Sequence, residues 1–136
     1  MKYAEWLVLA LAATLGTTLL LAQTPGPSPS EEFKAVHLVS LTASQKSSLL
    51  TALADVNAAV AQAGHAGIRY RLYKVTGKQD GKYTHMWEST WPSGDIYDQV
   101  HKSAAFEAAT KKHPEIEELM KEEVYNRYVE VTARKR

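Results

Sequence analysis

The chain has no cysteine. That excludes disulfide staples, thiolate nucleophiles, iron–sulfur clusters and zinc sites of the cysteine type, so an apolar core has to hold the fold. It also lacks an excess of either charge: 16 Lys and Arg face 15 Asp and Glu, for a net charge of +1. No basic stripe is present, so nothing suggests a nucleic-acid partner, and Arg134-Lys135-Arg136 reads as a short solvated tail. There is no glycine-rich phosphate loop, no nucleophile elbow, and no H-x-x-x-H or H-E-x-x-H on any helix. A metal would have to be gathered from histidines and carboxylates on separate strands, and none is expected. No internal repeat appears.

What is present begins with a leader-like segment. Met1-Lys2 precedes an apolar run from Trp6 to Ala22, followed by Gln23-Thr24-Pro25-Gly26-Pro27-Ser28-Pro29-Ser30. A basic tip, an apolar centre and a small residue at the end are the parts of a secretory signal. The expected division is a signal peptide over 1–22, a flexible Pro/Ser linker over 23–32, one domain over 33–131 and a basic tail over 132–136. The expected destination is periplasmic or secreted. The alternative is an uncleaved N-terminal membrane anchor, although the run falls short of the roughly 20 apolar residues of a relaxed span.

Within the domain, Lys34–Leu41 alternates as a strand, with Val36 and Leu38 on one face and Ala35, His37, Val39 and Leu41 on the other. Thr42–Ala63 reads as the longest helix. Thr42 and Gln45 form a capping box, Leu49, Leu53, Val56 and Val60 make an apolar stripe that Leu50 widens, and Gly64 is the natural C-cap. Ile68–Val75 alternates as a second strand. Asp80-Gly81 is a turn signal, so Lys82–Trp91 pairs antiparallel with it. Pro92 ends that strand, Ser93 caps a helix, and Ile96, Val100 and Ala104 share its inner face. A second helical piece carries Ala105, Phe106 and Ala109. A short helix over Glu115–Glu123 turns Ile116, Leu119 and Met120 inward, and Val124–Val131 is the last strand.

The order strand, helix, strand, strand, helix, strand implies an α+β, ferredoxin-like βαββαβ domain: one four-stranded antiparallel sheet with helices on one face. Strands with apolar or aromatic residues on both faces need cover on both, which predicts a homodimer.

This layout resembles the dimeric α/β-barrel superfamily, and within it the antibiotic-biosynthesis-monooxygenase-like domains. The likeness rests on the strand order, on Met86-Trp87-Glu88-Ser89, and on the H-x-S-x-x-F pattern of His101-Lys102-Ser103-Ala104-Ala105-Phe106. It implies a small apolar or aromatic ligand between helices and sheet. It also implies either a monooxygenase-like activity without a bound metal or cofactor, or a non-catalytic binding or structural domain. The haem-degrading branch places its haem-binding histidine where this chain has Thr110, and its helix tryptophan where it has Val100. A haem-binding protein would instead use His113 or His101.

Candidate site residues follow. His101 is the candidate acid/base, since an imidazole titrates near neutral pH; otherwise it bonds a backbone carbonyl. His85, Trp87, Tyr70, His37, Trp91 and Phe106 are the candidate pocket walls. For Trp87 the alternative is plain packing, and for His37 a place in the dimer seam. Arg69 and Arg71 form a pair able to clamp a carboxylate, or the solvated side of an edge strand.

Overall fold

A computed structural model describes residues 31–78, 80–122 and 124–132. The signal segment, most of the linker and all of the tail but Thr132 lie outside the described residues. Eight elements follow one another: β1 (Phe33–Val39), α1 (Ala43–Gln62), β2 (Arg71–Lys74), β3 (His85–Trp91), α2 (Gly94–His101), α3 (Ala104–Lys111), α4 (Pro114–Glu122) and β4 (Val124–Tyr128). The strands form one antiparallel sheet in the order β2-β3-β1-β4. Among the described residues no helix is long and apolar enough to cross a membrane.

The local signals act as chemistry dictates. The Thr42 side chain accepts from the Gln45 N–H while the Gln45 side chain accepts from the Thr42 N–H, closing the capping box. Ala63 is the C-cap residue, and Gly64 follows it at φ 93°, a conformation that costs a residue with a Cβ. Asp80-Gly81 lies in the β2–β3 connection, with Gly81 at φ 92°. The strands are shorter than the alternation predicts. β2 is Arg71–Lys74 rather than 68–75, β3 starts at His85, and β4 stops at Tyr128. Ile68 and Tyr70 are still placed inward, but by a side chain: Asn57 of α1 accepts from the Tyr70 N–H (2.7 Å) and donates to the Tyr70 carbonyl (3.0 Å). Asn57 thus replaces a strand partner that the edge lacks.

Register divides the sheet cleanly. Phe33, Ala35, His37 and Val39 share the helix side with Trp91, Ser89, Trp87 and His85. Val36, Leu38, Met86 and Glu88 lie on the other, uncovered side. His37 therefore does not face outward toward a second sheet; it is buried beneath the helices. Leu50 does not widen the buried stripe of α1, because it is 51% exposed. Met120 is also 51% exposed, so it turns inward only in part. Beneath the helices the core falls into two clusters. One gathers Phe33, Val60, Trp91, Val100 and Phe106; the other gathers Val39, Leu49, Leu53, Trp87 and Ile116. The gap between them positions the site.

Candidate functional site

A cavity of about 130 Å³ occupies that gap, lined by residues of both clusters. Its size approaches the roughly 150 Å³ known to hold a benzene. Ala35, His37 and Trp87 come from the sheet, Leu53 and Val56 from α1, and Tyr70 from the segment before β2. Tyr97 and His101 come from α2, Phe106 and Thr110 from α3, and Ile116 and Met120 from α4. None of these side chains is a carboxylate, ammonium or guanidinium.

His101 is held from every side. Its ring stacks on Tyr97 at 3.7 Å and meets Phe106 at 4.2 Å and Trp91 at 5.1 Å. Nδ1 lies 2.7 Å from the Tyr97 carbonyl, which can only accept, so Nδ1 carries a proton. In the neutral ring Nε2 is then bare, and it accepts the Tyr70 hydroxyl at 3.0 Å. Burial pushes His101 below the ordinary histidine value, and the positive charge of Arg127 works the same way; the Tyr97 carbonyl opposes both. Burial likewise raises Tyr70 far above the ordinary phenol value, so its hydroxyl keeps its proton. The pair is neutral, with one fixed tautomer.

The H-x-S-x-x-F pattern has a local physical account. Ser103 breaks the helix between α2 and α3. Its hydroxyl donates to the Val100 carbonyl (2.7 Å) and accepts from the Phe106 N–H (3.3 Å), capping α3. The break swings Phe106 against the His101 ring. Trp91, fully buried, lies under Tyr70, Tyr97 and His101, and its indole N–H donates to Ser89 (2.8 Å). From β4, Arg127 lies 4.6 Å over Tyr97 and donates to the Tyr125 hydroxyl.

Of the residues singled out from sequence, His101, Tyr70, Trp87, His37 and Phe106 come together at the cavity. Trp91 supports them without lining it. His85 is not brought there. It lies at the far end of β3, where Nδ1 meets the Thr84 hydroxyl at 2.8 Å, and burial with nearby Lys46 and Lys74 lowers its pKa. Its strand alternation places it on the correct face, but two residues beyond the gap. Arg69 and Arg71 are exposed. Alternation and helical spacing did not mark Asn57, Tyr97 or Thr110 as site residues. A lone Asn within the alanines of α1 was the available signal for the first. Trp87 also carries an unmet need: its indole N–H is buried and finds no acceptor among the described residues.

Among the described residues no three His, Asp or Glu side chains gather to hold a metal ion. The histidines considered for haem do not fit one in this arrangement. Both nitrogens of His101 are bonded within the fold, and those of His113, which is not among the cavity's lining residues, face Asp55 and Glu115.

No protein-family model and no curated protein sequence matches the chain. Solved structures do. A candidate antibiotic biosynthesis monooxygenase from Caulobacter crescentus CB15 superposes with a TM-score of 0.55 at 15% identity, covering 77% of this chain and 94% of that one. The shared feature is a ferredoxin-like α+β fold, one four-stranded antiparallel sheet with helices. A hydroxynitrile lyase from Passiflora edulis shares this fold at a TM-score of 0.53 and 14% identity, over 77% and 98% of the two chains. So does a dimeric ferredoxin-like protein of unknown function from Thermobifida fusca YX, at 0.52 and 15% identity, over 76% and 94%. Such neighbours carry different activities, so the fold leaves the reaction to the side chains.

Proposed function

We propose that this chain is an exported homodimer that holds a small, neutral, largely apolar or aromatic molecule in the cavity. In this proposal Tyr70 and His101 receive the ligand's hydroxyl proton. The observation that carries the proposal is the neutral Tyr70–His101 pair at the wall of a cavity that no carboxylate, ammonium or guanidinium lines. A ligand hydroxyl beside Tyr70 passes its proton to the tyrosine oxygen as the tyrosine proton moves to Nε2. The products are a ligand oxyanion and an imidazolium, and no free tyrosinate forms. An electron-rich oxyanion of this kind is the form that dioxygen, as co-substrate, oxidises in a monooxygenase-like reaction. The second reading is a binding domain without catalysis. It is favoured by the internal bonding of both His101 nitrogens.

The uncovered sheet face, with Val36, Leu38 and Met86 half-buried, supports the homodimer, as does the dimeric Thermobifida neighbour. Light scattering on the eluted protein checks it, and a stable monomer refutes it. The leader-like segment supports export, which N-terminal sequencing of protein recovered outside the cytoplasm tests. For the cavity, titration with phenol followed by NMR is decisive. Shifts confined to His101, Trp87 and Phe106 are expected, and no shift at millimolar phenol overturns the reading. Oxygen uptake on adding phenols separates the catalytic form from the purely binding one.

A further inference from the structure

We propose that α4 is a pH-latched lid over the cavity, and that its latch is His113 held between Asp55 and Glu115. The proposal rests on the cavity being the binding site. α4 brings Ile116, which is buried, and Met120, which is half-exposed, to the cavity wall. Access past Met120 therefore depends on where α4 sits. The helix departs from α3 at a joint, Lys112-His113-Pro114, where the proline has no N–H to continue the hydrogen-bond ladder.

The His113 side chain sits at this joint with 12% exposure. Nε2 lies 2.9 Å from Oδ2 of Asp55, on α1, and Nδ1 lies 3.3 Å from Oε1 of Glu115, on α4. One imidazole thus ties the lid to the helix that floors the cavity. Within α4, Lys121 pairs with Glu118.

A ring facing carboxylates at both nitrogens needs both N–H groups, so the closed latch is an imidazolium. Loss of a proton leaves one N–H, which the shorter contact keeps on Asp55. A bare lone pair then faces the Glu115 carboxylate, and the arm on α4 opens. The charged groups facing the latch are Asp55 from α1, Glu115 from α4, and Lys112 at the end of α3, which acts on Asp55. The Asp55 bond above all raises His113 over the ordinary value of 6.5, with Glu115 helping. The sign follows: the latch is fully closed below 6.5 and opens as pH rises through the raised value.

Amide exchange of the full chain, read by mass spectrometry over about pH 5.5–8.5 and corrected for intrinsic rates, tests the latch. Protection in 114–122 is expected to fall a few-fold, up to about fivefold for a pair whose carboxylates are partly exposed, while α1 and the sheet hold theirs. His113→Gln is expected to remove the pH dependence and leave α4 at the open level, and Asp55→Asn to move the transition to lower pH. An unchanged profile in His113→Gln, or equal loss of protection in α1 and the sheet, overturns the proposal. In a second arm, toluene association is expected to quicken above the transition in the wild type and to be pH-independent in His113→Gln. An association rate that ignores pH in the wild type overturns the lid. Absence of toluene binding at every pH overturns the cavity reading itself, whatever the exchange pattern.

Discussion

His101 and His113 lie close in sequence and in opposite electrical worlds. His101 is walled by Tyr97, Phe106 and Trp91, and its nitrogens meet a carbonyl and a hydroxyl. His113 sits at a helix corner between two carboxylates. Burial lowers the first pKa and the Asp55 bond raises the second. The same side chain is thus kept neutral in one region and charged in the other. The interior has rings and few donors; the corner has two partly exposed carboxylates.

The largest expected effect breaks the interior half of this contrast. Trp91→Ala removes a fully buried ring from beneath His101 and is expected to cost about 3–5 kcal/mol in urea unfolding. A cost under about 1 kcal/mol would mean that the interior repacks without Trp91 and does not position His101. Tyr70→Phe removes only the hydroxyl and leaves Nε2 without a donor. About 1 kcal/mol of stability is expected to go, with phenol affinity falling roughly five- to tenfold by calorimetry.

The pH dependence sharpens the comparison directly. His101 has a lowered folded pKa, so its share of stability is present above 6.5 and is lost as pH falls below it. The His113 share is present below 6.5 and is lost as pH rises through its raised value. In denaturation, His113→Gln is expected to remove the alkaline-side loss, and His101→Phe to reduce the acid-side loss, to which His85 and Asp55 also contribute. The smallest effect belongs to Leu50, which neither region uses: Leu50→Gln is expected to change stability by no more than about 0.5 kcal/mol.

Much of this was legible in the sequence because periodicity reports faces. Alternation in β1 and β3 gave the sheet, and the capping residues Thr42 and Ser93 are where chemistry needs them. Five of the seven residues singled out for the site line one cavity. Position along a strand was the missing coordinate. His85 and Trp87 share a face, and only the placement of α1, α3 and α4 decides that the gap opens at Trp87. For His37 the pocket wall and the dimer seam stayed open as alternatives for the same reason, since alternation separates two faces without saying which one the helices cover. The His113 latch joins α1 to the start of α4, and no spacing rule connects Asp55 with a residue so distant in sequence. Tyr70 is held by Asn57, and a single polar residue among alanines carries too little pattern to announce that role.

The central claim is that His101 is a neutral imidazole of one tautomer that answers to the cavity. Nitrogen-15 NMR of the imidazole rings, recorded against pH and with added phenol, tests it most directly. The account predicts a protonated Nδ1 and a bare Nε2 at neutral pH, a titration midpoint below 6.5, and a change at Nε2 when phenol enters. A protonated Nε2, a midpoint at or above 6.5, or a ring indifferent to phenol would contradict it.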